Sequence, residues 1–315
     1  MAAATAPIGE RLRAGDVRAL ARAITMAEKR DPAVPGLLAE LGDGGPERLR
    51  VGLTGAPGAG KSTLVDALVR RAREREKTVG VLAVDPSSPF TGGALLGDRV
   101  RMGAHALDPG VFVRSMGARG HGGGLAAATG EALALLSAFG FDEIMVETVG
   151  AGQSEFEVTA LVDTTVLVLT PGAGDLIQLQ KAGIMEVADV YVVNKSDMDG
   201  AATMLRDLRR VVGRAGEDGW APPVIATVAR EPHDSQLDLW DAIDSHRAYL
   251  RDSSSGAERL ARRLREEAAA LVAEAARAWA LAQLGPDTEP ARHLAESRAP
   301  ASIARELIDR KGLGE

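Results

Sequence analysis

The sequence predicts an α/β protein, a doubly wound and mostly parallel sheet with helical extensions at both ends. Two observations carry this. Short β-branched runs, apolar throughout, recur between residues 50 and 250, as strands covered on both faces require. Stretches with helical spacing of apolar residues separate them and supply the crossovers that parallel strands need.

Ahead of the first strand, Ile8, Leu12, Leu20, Ile24 and Ala27 keep helical spacing over residues 8–30, and Asp16 stands where it can cap a second segment. Asp31-Pro32 and Pro35-Gly36 are expected to stop this helix, and 42–46 to form a linker. The expected strands are 51–54, 79–84, 111–113, 143–147, 165–170, 190–194 and 224–228. Helices are expected near 62–76, 124–138, 154–162, 176–188, 200–215 and 235–249. A second linker is expected at 253–256. Beyond it, Leu260, Leu264, Ala268, Leu271, Ala275 and Trp279 line one face of a long helix ended by Gly285-Pro286, and a shorter helix covers 301–310. The expected organisation is a helical extension over 1–49, an α/β domain over 50–250 and a helical arm over 251–315. The apolar strip of the arm either packs back on its own domain or meets a second subunit.

Composition narrows the function. A net charge of −7 argues against nucleic acid or an anionic membrane as partner. No apolar run approaches the ~20 residues that span a bilayer, and the first residues lack the basic start and apolar core of a secretory signal. The absence of cysteine removes disulfides, thiolate metal sites and a cysteine nucleophile. These features fit the cytoplasm. The five histidines (105, 121, 233, 246, 293) have no metal-ligand spacing. Lysine is scarce, six residues against thirty-one arginines, yet Lys61, Lys181 and Lys195 all fall in motifs, as does the only asparagine, Asn194. Arginine cannot replace lysine where shape and donor geometry matter.

Gly55-Ala-Pro-Gly58-Ala59-Gly60-Lys61-Ser62-Thr63 follows an apolar strand and opens a helix. This is the phosphate-binding G-x-x-x-x-G-K-[ST] loop in its required setting. Its glycines let backbone N–H groups wrap a β-phosphate at the positive end of a helix dipole, Lys61 reaches the β/γ oxygens and Ser62 ligates Mg²⁺. Asn194-Lys195-Ser-Asp197 ends a later strand. Asp197 there can accept from guanine N1–H and the exocyclic amine, a donor pair adenine lacks. Asn194 holds the loop and the base edge, and the Lys195 stem covers the ring. Between them, a strand ends in Glu147 with Gly150 three positions on, the arrangement of a Mg²⁺ and γ-phosphate sensor in which Gly150 offers its N–H. Ala151 occupies the place of a water-orienting glutamine, so unassisted hydrolysis is expected to be slow. Asp85 and Asp98 fit the same metal shell, the latter in a glycine-rich stretch read as a nucleotide-ordered switch. The 50–250 domain is thus expected to be a P-loop GTPase that uses GTP/GDP and Mg²⁺, with Lys61, Glu147 and Asp98 as its catalytic set.

Taken in order, GAPGAGKST, VLAVDPSS, GGALLGDRVRM, FVRSMGARGHGGGLA, VETVGAGQSE and GAGDLIQLQKAGIMEVADVYVVNKSD resemble the GTPase chaperones of methylmalonyl-CoA mutase over nearly the whole chain. The resemblance implies Mg²⁺ ligation near Ser62, Asp85, Asp98 and Glu147, and a homodimer built through the C-terminal helices. It implies as partner an adenosylcobalamin-dependent acyl-CoA mutase, coupled to nucleotide state through a switch that here holds Asp175, Gln178 and Lys181. Two departures stand out. Ala94, Arg99 and Val100 replace the Ser, Lys and Thr common in the family, and the base-covering loop reads Thr227-Val228-Ala229, so its guanine contact is expected to be mostly backbone. Alternatives are a nickel-type metallochaperone GTPase, which usually carries Cys- or His-rich motifs, and a transport-associated kinase, against which Asn194 and Asp197 speak.

Overall fold

A computed structural model describes residues 6–42, 49–85, 105, 107–117, 124–148, 160–172, 188–212, 219–230, 233–285 and 300–311. Three helices come first: α1 (Ile8–Arg13), α2 (Val17–Glu28) and α3 (Val34–Leu41). Then follow β1 (Arg50–Thr54), α4 (Lys61–Glu74), β2 (Val79–Asp85), β3 (Val111–Gly117), α5 (Gly124–Phe139), β4 (Glu143–Thr148) and β5 (Thr164–Leu169). The chain continues through β6 (Val190–Asn194), α6 (Ala201–Val212), β7 (Val224–Thr227), α7 (Ser235–Asp252), α8 (Ser254–Gln283) and α9 (Pro300–Lys311). All seven expected strands form.

They make one parallel sheet in the order β3-β2-β4-β1-β5-β6-β7. The chain leaves β1 toward one edge and returns to build the other, so a crevice opens beyond the C-terminal end of β1. Ligands bind at such a reversal in open α/β sheets. The strands bury both faces. Leu82, Val84, Ile144 and Val146 pack with α2 and α5, while Val51, Leu53, Val81 and Met145 face Leu64, Leu68, Leu239 and Trp240 of α4 and α7. Leu167, Tyr191 and Val193 pack with Met204 and Leu208 of α6.

The N-terminal helices are part of this core. Asp16 caps α2, accepting from the N–H groups of Arg18 and Ala19, and Ala19, Leu20, Ala23 and Ile24 are fully buried. Each such leucine or isoleucine contributes ~1.5–3 kcal/mol. Arg114 on β3 reinforces the packing through Glu28 at 2.6 Å.

Three expectations are corrected. Pro35-Gly36 was expected to stop helix, yet it lies in the first turn of α3, where proline costs nothing because its missing N–H has no intrahelical partner. The linker at 253–256 reduces to Ser253. Its Oγ accepts from Gly256 N–H at 2.9 Å and its carbonyl accepts from Ala257 N–H at 3.1 Å, which starts α8 at once. Of the helix expected over 154–162, the described residues 160–162 are not helical, and the rest lies outside the described residues, as does nearly all of the one expected over 176–188.

The chain divides into compact units Met1–Arg263 and Leu264–Glu315. In the first, Arg259 grips Asp189 with two hydrogen bonds at 2.6 and 2.8 Å, and Arg263 pairs with Asp163 at 2.7 Å. Those acids stand just before β6 and β5 and also accept from the backbone of Thr165 and Arg50. In the second, Ile303 and Leu307 are buried, whereas Leu264, Val272 and Leu281 are exposed. No helix among the described residues is long and apolar enough to cross a membrane.

Candidate functional site

The turn from β1 to α4 is possible only for glycine at two points. Gly55 has φ 139°, and a Cβ there would lie 2.1 Å from the carbonyl oxygen of Val168 on β5. Gly60, at φ 92°, has Asn194 Nδ2 where a Cβ would be, 2.3 Å away. The loop therefore lies flat against the strand ends, with the N-terminus of α4 open beside it. Lys61 is buried at 6% exposure, and its Nζ donates to the carbonyl of Gly55 and, at 3.1 Å, to that of Ala56. An ammonium held over its own loop sits where phosphate charge would gather.

Glu147 lies on β4 opposite Leu53 of β1 and Ala83 of β2, deep in the sheet at 3% exposure. The Ser62 hydroxyl donates to its Oε1. Asp85 ends β2, two residues beyond Ala83, the partner of Glu147, so its backbone reaches the same sheet edge. Asp98 and Gly150 lie outside the described residues. A hydroxyl and a carboxylate brought together at the sheet edge form a hard oxygen donor set, and that chemistry fits Mg²⁺.

The far end of the cleft is built by β6 and β7. Asn194, 2% exposed, donates from Nδ2 to the carbonyl of Ala59 at 2.9 Å and accepts at Oδ1 from Thr227 Oγ1 at 3.1 Å. Lys195 takes φ 55°, a left-handed conformation rare outside glycine, and its Nζ donates to the carbonyl of Gly58 at 2.9 Å. The backbone of Val228 is engaged by α7, its N–H donating to Ser235 Oγ at 3.2 Å and its carbonyl accepting from Gln236 Nε2 at 3.1 Å.

These elements enclose a cleft of about 910 Å³. Gly58, Gly60, Lys61, Ser62, Thr63, Glu147, Asn194, Lys195, Asp197, Val228 and Ala229 all line it, so residues from four separated motifs converge. Gly55 and Ala59 are expected ligand residues that do not line it. They act beneath, through their carbonyls and tight backbone packing. Pro57, Asp66, Met198 and Arg230 line the cleft as well and were missed. Asp66 lies one helical turn beyond Ser62 and Arg230 directly follows Ala229, so extending each motif by one turn or one residue finds both. Asp175, Gln178 and Lys181 lie outside the described residues.

Residues 20–283 match the family described as methylmalonyl-CoA mutase-associated GTPase MeaB. A Pyrococcus abyssi protein that carries a GTPase name is 46% identical over 267 residues, 84% of this chain and 82% of its own length. GTPase ArgK of Escherichia coli is 39% identical over 250 residues, 76% of this chain and 75% of its own. A crystal structure of a LAO/AO transport system kinase superposes with a TM-score of 0.65 at 26% identity, covering 97% of this chain and 96% of that one. With the 55–63 loop, Glu147 and the 194–197 segment gathered at one sheet edge and the family model matched over 20–283, the chain belongs to the MeaB family of GTPases.

Proposed function

We propose that this GTPase is the Mg²⁺-dependent chaperone of an adenosylcobalamin-dependent acyl-CoA mutase of the methylmalonyl-CoA mutase type. It gates cobalamin loading and protects or reactivates the mutase. The observation that carries the catalytic half is the meeting of Ser62 and Glu147 beside Lys61, in the cleft that Asp197 also lines. The family description supports the client.

In this reading Asp197 selects guanine and Asn194 fixes the segment that presents it. The Gly58–Thr63 backbone and Lys61 hold the phosphates, with Gly150 toward the γ-phosphate. Ser62 and Glu147, with Asp85 and Asp98, hold Mg²⁺, which when bound supplies positive charge to the β/γ oxygens. Lys61 and these acids need only position and neutralise, because phosphoryl transfer asks little covalent chemistry of the protein. Ala151 cannot orient water, so basal turnover is slow and the mutase accelerates it. Asp175, Gln178 and Lys181 carry nucleotide state to the mutase. The exposed Leu264, Val272 and Leu281 support a homodimer through the C-terminal arm, working in the cytoplasm.

Phosphate release from GTP and ATP, with and without purified methylmalonyl-CoA mutase, tests the proposal. The expected result is GTP-selective turnover well below the ~10 s⁻¹ enzyme median, raised by the mutase and nearly abolished in Lys61→Ala. Fast turnover alone, or no response to any adenosylcobalamin mutase, refutes it.

A further inference from the structure

β7 is the last strand in the sheet order, so no strand among the described residues pairs with its outer edge. The carbonyls of Pro223 and Thr227 accept from the N–H groups of Tyr191 and Ser196, which fixes the positions that face β6. Backbone groups alternate in direction along a strand, so the N–H and C=O of Val224 and Ala226 face outward. Among the described residues the one bond to these groups comes from Arg209 Nη2 to the Val224 carbonyl, long at 3.4 Å. Val224, Ile225 and Ala226 are half-buried, unlike the fully buried β1, β4, β5 and β6.

A groove of about 570 Å³ opens over these three residues, walled by Arg209 of α6 and by Asp238 and Asp241 of α7. α6 packs on the face that Val224 joins and α7 on the face that Ile225 joins, so the walls flank the edge from opposite faces of the sheet. All three charged side chains are exposed, and neither aspartate is ion-paired among the described residues. One wall is therefore negative and the other positive. No described residue lines both this groove and the nucleotide cleft.

An edge of this kind takes an extended chain, whose own N–H and C=O groups pair with Val224 and Ala226. An added strand sends successive side chains to opposite faces of the sheet. Every second residue then meets the aspartates of α7, and the residues between them meet Arg209. Asp238 and Asp241 stand ~4.5 Å apart along the helix axis, and alternate strand residues stand ~6.6 Å apart. Flexible basic side chains close that difference, so two of them at i and i+2 can each reach one carboxylate. Because β7 has only four residues, its backbone offers few bonds, and the charged walls must select the partner.

We propose that β7 is a docking edge for an extended segment of a partner protein in which lysine or arginine alternates with glutamate or aspartate. The basic residues face Asp238 and Asp241, the acids face Arg209, and the backbone extends the sheet by one strand. Walls of opposite sign disfavour a partner of uniform charge.

The test titrates the full chain with two labelled peptides of identical composition. In one, lysine and glutamate alternate; in the other they stand in separate blocks. Fluorescence anisotropy reads binding, and amide hydrogen exchange reads protection of Val224 and Ala226. The alternating peptide is expected to bind about tenfold tighter than the block peptide and to slow exchange at both amides. Asp238→Lys/Asp241→Lys should weaken it about tenfold, with GDP affinity within about threefold of wild type. Adding Arg209→Glu exchanges the two walls, and a one-residue slip of the peptide then restores binding. Equal binding of the two peptides overturns the proposal, since a charged surface without strand pairing reads composition alone. Protection that bypasses Val224 and Ala226 overturns it too, as does no binding of the alternating peptide at ~1 mM. A concentration-dependent dimer that Asp238→Lys/Asp241→Lys abolishes assigns the edge to a second copy of this chain and likewise overturns it. Should the charge reversals fail to fold, Asp238→Asn/Asp241→Asn is expected to weaken the alternating peptide in the same direction, and unchanged binding there overturns the proposal.

Discussion

Asn194 Nδ2 donates to the carbonyl of Ala59 at 2.9 Å, so the segment proposed to read the base is bonded to the loop proposed to hold the phosphates. The amide is buried, and its other end is taken by Thr227. Asn194→Ala should therefore weaken GTP and GDP alike, about tenfold to a hundredfold, and lower unfolding free energy by ~1–3 kcal/mol. Fluorescent GDP titration and urea unfolding measure the two effects. An intact affinity would mean that the two segments are held independently.

Asp197 lines the cleft beyond Lys195 and carries the one carboxylate within 194–197, the segment proposed to read the base. Asp197→Asn should lower GTP affinity about tenfold to a hundredfold and gain xanthosine triphosphate, whose 2-oxo group needs a donor. Competition between the two nucleotides reads the switch directly. An unchanged preference would remove Asp197 from base recognition.

Burial, with the negative charge of Asp189 beside it, pushes the Tyr191 phenol up to about 12. The folded value lies above the unfolded one, so the associated stability is fully present below about pH 10 and is lost as pH rises toward 12. Between those limits wild type should lose ~2–3 kcal/mol more than Tyr191→Phe. Urea unfolding at stepped alkaline pH tests this, and parallel losses in both proteins would contradict it.

Gln178→Ala and Lys181→Ala should keep nucleotide affinity and basal hydrolysis within a few-fold while losing stimulation by the mutase. A coupling free energy between two sites can vanish while each site survives. The GTPase rate with and without mutase decides it. Variants stimulated as strongly as wild type would show that this segment carries no coupling.

Strands and cleft were legible because their signals are local. The short, mostly apolar run 51–54 and the adjoining glycines specify a strand, a turn and a helix start without knowledge of anything distant. The convergence of Lys61, Glu147 and Asp197 also followed, since parallel strands present their C-terminal ends at one edge. Tertiary choices were not legible. Pro35 reads equally as a helix stop and as a first-turn residue, and only the burial of Val34 and Leu37 selects the helix. Asp66 with His105 joins residues thirty-nine positions apart, and nothing in sequence pairs them. Gly55 was read as a phosphate ligand because it opens the G-x-x-x-x-G-K-[ST] motif; the close packing that demands glycine there is set by Val168, on a strand more than a hundred residues away.

The strand order has a consequence for biosynthesis. Arg50 pairs with Ile144, ninety-four positions later, and Val51 with Thr164, one hundred and thirteen positions later. The first strand to leave the ribosome is thus the centre of the sheet, and both its neighbours are still untranslated when the phosphate loop emerges. Pairing over such spans is slow, because closing a long loop precedes any reward. The segment 50–75 stays exposed during translation until β4 and β5 arrive, and Asn194 reaches Ala59 later still. Nucleotide binding by a nascent chain should accordingly begin late, after β6 and β7 have left the exit tunnel.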